Sequence, residues 1–256
     1  TLVAPCHAAG RLVGWVANRA HHADLGGAAP GSLPADATEI QQEGFRVPPM
    51  RFTPEVRRLL VTSSRTPDER TGDIDAQVGA NVVGVERLAT MADEPLDEVI
   101  AYGERRMRAA VAALPDGTWT AVDRMDSTGA GPDQREPAEV VVTLTVDGDR
   151  VVFDFAGTAP QSRGNVNAVE AVTVSAAVFA LRCAIDPTVP ANGGGLRVVE
   201  VRAPEGSLVA ARPPAAVGAG NVEVSQRVAD VCLAALAHAA PERVPAASQG
   251  TMNNLL

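Results

Sequence analysis

The chain has 256 residues, 46% of them hydrophobic and 21% charged, and a net charge of −9. That is the composition of an ordinary folded protein and excludes a wholly disordered chain. The acidic balance argues against nucleic acid and against an anionic membrane surface as partners. All 22 basic residues are Arg. A chain without Lys has no P-loop, whose Lys reaches the β- and γ-phosphates, and no Schiff-base Lys for pyridoxal phosphate.

No apolar run approaches the roughly 18 residues that span a bilayer, and no basic stretch followed by an apolar one marks a secretory leader. Cys6, Cys183 and Cys232 are odd in number and widely spaced, without a CxxC pair. This pattern fits neither a zinc ribbon nor a disulfide framework and predicts a reducing, cytoplasmic setting. Cys183 and Cys232 sit in Ala/Val/Leu-rich stretches and are expected to be buried. The chain opens at Thr1 within a strand-like run and closes on Asn253-Asn254-Leu255-Leu256. Such abrupt ends predict an internal piece of a longer polypeptide.

Two strands around a turn at Ala9-Gly10 are expected over residues 1–18, then a Pro- and Gly-rich loop over 19–53, a length at which loops usually carry function. Thr53 and Pro54 read as the N-cap and first residue of a helix over 54–65. Ile74, Val78, Val82, Val85, Leu88 and Met91 predict an amphipathic helix over 68–91. Leu96, Val99, Ile100, Met107, Val111 and Leu114 predict a second over 95–114. The short link between them suggests a helical hairpin. Strands follow at 118–126 and 138–155, the latter folded at Asp147-Gly148-Asp149. Residues 169–184 and 222–239 read as buried helices around a strand at 196–203. The fold expected is α+β with mixed sheets, long helices and that hairpin, in four stretches: 1–66, 67–115, 116–160 and 161–256.

The densest chemical cluster is Asn18-Arg19-Ala20-His21-His22-Ala23-Asp24-Leu25-Gly26-Gly27, at the exit of a strand. Imidazole with carboxylate suits a divalent ion such as Zn, Mn or Fe(II). In an extended segment His22 and Asp24 share a face; a turn at Gly26-Gly27 brings His21 and Asp24 together instead. The spacing leaves both open, and either pair needs further ligands. Glu43, downstream, is either a further ligand or base, or an ordinary solvated carboxylate before a turn. Asn192 to Gly195 and Gly218 to Asn221 could set backbone N–H groups against an anion, although such glycines more often simply make tight turns. Asp123 and Asp126 read as solvated, and His238 as a cation at a helix C-terminus. There is no Gly-x-Ser-x-Gly nucleophile elbow.

Taken in order, these runs resemble the hydantoinase B/oxoprolinase family. The first is Arg19 to Gly27, followed by Pro30-Gly31-Ser32, Gln42-Glu43-Gly44 and Val47-Pro48-Pro49. Later come Asp154-Phe155-Ala156-Gly157-Thr158 with Gly164-Asn165-Val166-Asn167, then Pro190-Ala191-Asn192-Gly193-Gly194. Gly220 to Arg227 and Pro245 to Asn254 complete the set. The resemblance implies a subunit of an ATP-dependent cyclic-amide hydrolase, of hydantoinase or 5-oxoprolinase type. A hydantoinase A-type partner subunit would bind ATP and Mg and phosphorylate the amide oxygen of a small cyclic amide. It also implies a divalent metal, Zn, Mn or Fe, held by His21 and Asp24 in a His-x-x-Asp pattern. His22, Glu43 and Arg46 are the implied catalytic residues, with Arg46 suited to a substrate carboxylate or phosphate. Related acetone and acetophenone carboxylases are the alternative, and a non-catalytic fragment is another. Arg46, in the Glu43 to Pro49 run near which some carboxylase members carry His, favours hydrolysis.

Overall fold

The structure is a computed structural model and describes residues 1–129, 131 and 135–247. The expected Asn253-Asn254 motif and the end of the Pro245 run therefore lie outside the described residues. The chain divides into two compact units, residues 1–34 with 41–96, and residues 35–40 with 97–256.

The first unit is a two-stranded antiparallel sheet and two helices. Strands β1 (Leu2–Ala8) and β2 (Arg11–Asn18) meet at the expected turn, where Ala9 and Gly10 both take positive φ, as a two-residue hairpin loop requires. Helix α1 (Pro54–Thr62) starts as the sequence predicts, with the Thr53 hydroxyl accepting from the Val56 N–H at 3.4 Å. Helix α2 (Pro67–Ala89) packs on both strands. The Cys6 thiol, fully buried, donates to the Val85 carbonyl at 3.4 Å.

The face α2 buries differs from the expected stripe. Its buried residues are Arg70, Ile74, Gln77 and Asn81, while Val78 and Val82 are exposed. The reason is helical arithmetic. Steps of four residues (74, 78, 82) rotate about 40° away from a starting face each time, whereas alternating steps of four and three (70, 74, 77, 81) hold it. Three of the four side chains holding the face are polar, so a hydrophobic pattern misplaces it.

The second unit is a four-stranded sheet carrying helices. Helix α3 (Leu96–Val111) precedes β3 (Gly117–Met125), β4 (Ala138–Asp147) and β5 (Arg150–Asp154). Then come α4 (Glu170–Ala184), the single turn α5 (Gly193–Leu196), β6 (Val199–Arg202) and α6 (Glu223–Ala239). The sheet order is β3-β4-β5-β6, antiparallel except for the parallel β5–β6 pair, so it is mixed as expected. Strict alternation along β4 buries Ala138, Val140, Val142, Leu144 and Val146 on one face, joined by Val151 and Phe153 of β5. Helix α6 packs on β3 and β4, and α4 packs on α6. Each helix turns an apolar face inward (Ala177, Ala180 and Leu181 on α4; Val228, Val231, Cys232 and Leu236 on α6) and keeps its charged residues off that face.

The four expected stretches are not the units of the fold. Residues 67–115 are not one piece, because α2 belongs with the β1–β2 hairpin and α3 with the second unit. Residues 116–160 and 161–256 are joined by the β5–β6 pairing.

Candidate functional site

The cluster at residues 18–27 leaves β2 and turns back under a set of polar contacts. Asp24 is buried at 4% exposure. Its Oδ1 accepts from the N–H groups of Gly26 (3.0 Å) and Arg65 (3.1 Å). Its Oδ2 accepts from the Gly31 N–H (2.9 Å) and the Arg65 guanidinium (2.9 Å). The Gly26 N–H is the chief cause holding this carboxyl far below the usual carboxylate range. Burial opposes it, and the Arg65 and Gly31 contacts add to it. Arg65 also reaches the carbonyls of Gly26, Ala29 and Gly27, at 3.2, 3.1 and 2.7 Å. The Ser32 hydroxyl takes the Leu25 N–H at 2.7 Å and donates to the Gly26 carbonyl at 2.9 Å.

Two motifs separate in sequence are clasped together here. The Ala28 N–H donates to the Gln42 carbonyl at 2.7 Å and the Phe45 N–H to the Leu25 carbonyl at 2.9 Å. Gly27 lies where the strands of this clasp touch. Its φ is +83°, and a Cβ there would sit 2.5 Å from the Gln42 oxygen. The glycines of the Gly26-Gly27 and Glu43-Gly44 runs are thus explained by backbone approach.

His22 is held on the other side, against α2. Its Nδ1 lies 2.9 Å from Arg70 Nη1 and its Nε2 2.9 Å from Gln77 Oε1. Gln77 Nε2 donates to Asn18 Oδ1 at 2.7 Å, and Asn18 Nδ2 donates to Asn81 Oδ1 and to the Gln77 carbonyl, both at 2.8 Å. Arg70 also pairs with Asp73. His21, its neighbour, is exposed and makes no hydrogen bond among the described residues. Glu43 is half-buried and partnered; Arg46 is exposed, with no ion pair among the described residues.

In this arrangement Asp24 is committed to protein donors, while His21 beside it is exposed. A carboxylate offers about four lone-pair positions, and protein donors take four on Asp24. No group of three or more His, Cys, Asp or Glu side chains suited to a metal occurs among the described residues. His22 has both ring nitrogens engaged and no lone pair free for a substrate proton. Sequence reasoning missed Arg65, Arg70, Gln77 and Asn81. Of these, the α2 residues carry a legible signal, namely polar residues at core-facing helical spacing.

In the second unit the Gly-rich runs are packing devices. Asn192 caps α5 through the Gly194 N–H (2.9 Å) and donates to the Val99 carbonyl (3.0 Å). A Cβ on Gly194 would lie 2.0 Å from the Ile100 oxygen. Buried Asn167 receives the Ser162 N–H at 2.7 Å and donates to the carbonyls of Gly164 (2.8 Å) and Ala216 (2.9 Å). A Cβ on Gly220 would lie 2.0 Å from the Asn167 carbonyl oxygen. Asp123 is not simply solvated: it pairs with Arg227 at 2.6 Å. Cys232 is buried and its thiol pushed up by that burial. Cys183, expected inside, is exposed, and lines an open depression of about 450 Å³ with Ala110, Asp186 and Arg243. None of the sequence-predicted site residues lines it.

The profile of the hydantoinase B/oxoprolinase family matches residues 1–256. The chain belongs to this family. An uncharacterized protein of Methanocaldococcus jannaschii is 34% identical over 270 residues, covering all of this chain and 47% of that protein. The 5-oxoprolinase of Saccharomyces cerevisiae is 32% identical over 99% of this chain and 21% of its own length. The crystal structure of an ATP-dependent caprolactamase from Pseudomonas jessenii superposes with a TM-score of 0.79 at 27% identity, over 94% of this chain and 44% of that one. A nucleotide-free acetone carboxylase also gives a TM-score of 0.79, at 17% identity, over 96% of this chain and 36% of that one, which shows the fold alone. The chain thus spans about half the length of the first relative and about a fifth of the oxoprolinase. No helix among the described residues is long and apolar enough to cross a membrane.

Proposed function

We propose that this hydantoinase B/oxoprolinase chain is part of the subunit that completes an ATP-dependent opening of a small cyclic amide. The observation that supports this most is the whole-chain family match, together with the likeness to the caprolactamase at 27% identity. An amide resists water because resonance stabilises it. Transfer of the ATP γ-phosphoryl group to the amide oxygen, on a hydantoinase A-type partner, releases ADP and leaves an imidate-like carbon that water attacks readily. Water adds to that carbon and the C–N bond breaks, which releases the amine and leaves an acyl phosphate; hydrolysis of that acyl phosphate by a second water gives the carboxylate and free phosphate. On this chain the exposed ring of His21 is the group suited to take the proton of that water, and Arg46 the group suited to a carboxylate or phosphate on the substrate.

The test is to combine the full-length chain with its ATP-binding partner, ATP and either 5-oxoproline or a hydantoin, and to follow ADP and ring-opened product together. Stoichiometric formation of both supports the reading. ADP formation that requires bicarbonate, with no ring-opened product from any cyclic amide, overturns it in favour of carboxylation.

A further inference from the structure

Arg70 is the largest side chain that is wholly buried, at 0% exposure. It lies on the α2 face where the other buried residues are Ile74, Gln77 and Asn81. Only Nη1 has partners, His22 and Asp73; Nε and Nη2 are buried without any. A buried guanidinium with two unpaired N–H groups is costly, and an aliphatic residue would serve packing better. Its presence calls for a task that only a donor at that position performs.

The contacts around His22 give that task. A guanidinium donates and never accepts, so His22 Nδ1 must be the acceptor in the 2.9 Å contact. The ring proton is then on Nε2 and goes to Gln77 Oε1. That assignment agrees with the next link, because Gln77 Nε2 donates to Asn18 Oδ1, and Asn18 Nδ2 to Asn81 Oδ1. From Arg70 to Asn81 every donor points the same way along the chain of side chains. Reversing any one link sets two donors or two acceptors face to face.

We propose that Arg70 is a positioning residue. It fixes His22 in the Nε2–H form and ties it to α2, with the neighbouring His21 ring left exposed. The proposal deepens the reading of the site given above and rests on it for the role of His21. The form of the His22 ring is measurable whatever the reaction proves to be.

The experiment is a long-range ¹H–¹⁵N correlation spectrum of the ¹⁵N-labelled full-length chain, with His22→Gln used to assign the ring. The expected result is a pyridine-type Nδ1 and a pyrrole-type Nε2 for His22. Arg70→Met should blur that signature into a mixture and lower kcat for ring opening on the order of tenfold or more at little change in KM. Arg70→Lys, which retains a donor, should recover most of both. A His22 protonated on Nδ1 in the wild-type chain overturns the proposal, and so does an unchanged His22 signature in folded Arg70→Met. Should Arg70→Met fail to fold, the wild-type spectrum still decides. Failure of the complex to open any cyclic amide would remove the reaction assigned above and leave the ring measurement standing.

Discussion

Arg65 grips Asp24 twice, once through its backbone N–H to Oδ1 at 3.1 Å and once through its guanidinium to Oδ2 at 2.9 Å. The two residues are 41 positions apart, so this grip closes the loop after β2 onto the segment between α1 and α2. Asp24→Ala should therefore lower the Tm by several degrees or more, since it strips the partner from three backbone N–H groups and one guanidinium together. Differential scanning calorimetry is the check, and a Tm equal to wild type would show the grip to be idle.

The same pair predicts a pH dependence. The folded carboxyl of Asp24 lies well below its ordinary 3.8, chiefly through the Gly26 N–H. A depressed folded value means the unfolded chain binds the proton first. The stabilisation is then fully present above about pH 4 and fades as acid takes the pH further down. Asp24→Asn should lose that acid-range dependence, so the stability gap between it and wild type narrows as pH falls from 5 towards 2. Urea titrations at stepped pH would measure it.

Metal addition should do little to the described site. With the Asp24 oxygens occupied, Mn or Zn titrated into the chain should give no tight one-to-one isotherm, and a chelator should leave the Tm unchanged. Tight stoichiometric binding that His21→Ala and Asp24→Ala both abolish would show that the loop opens to take an ion.

Glycine positions carry sharper expectations. Gly27→Ala places a Cβ 2.5 Å from the Gln42 oxygen at a φ of +83°, and should cost more than about 1 kcal/mol in denaturant unfolding. In the second unit, Asn167→Ala leaves an N–H and several carbonyls without partners in a buried loop, a loss of about 3 kcal/mol.

His21→Ala and His22→Ala should separate cleanly. The exposed ring of His21 supports nothing in the fold among the described residues, so its removal should leave the Tm intact and lower turnover with the partner subunit. His22→Ala breaks the contacts to Arg70 and Gln77 and should lower both. Equal turnover in His21→Ala and wild type would count against its role.

Much of the fold was legible because its signals are local. Thr53-Pro54 announces α1, alternation announces β4, and Ala/Val/Leu-rich stretches announce α4 and α6. The buried face of α2 was not legible from hydrophobicity, because Arg70, Gln77 and Asn81 hold it through hydrogen bonds. At the candidate site the sequence pointed to residues 18–27, where the structure gathers a dense set of polar contacts, but it did not foresee which partners those contacts would have. Asp24 and His22 look like reactive groups when read along the chain, but Arg65 and Arg70, each more than 40 positions away, consume their bonding capacity. Of the expected site residues, His21 and Arg46 have no such partner among the described residues.

The clasp between residues 25–28 and 42–45 has one more effect. Because Gln42 and Leu25 each receive an N–H from the opposite segment, neither segment can shift without the other. A ligand that docked against these two segments would find them already held together, with little of their ordering left to oppose binding.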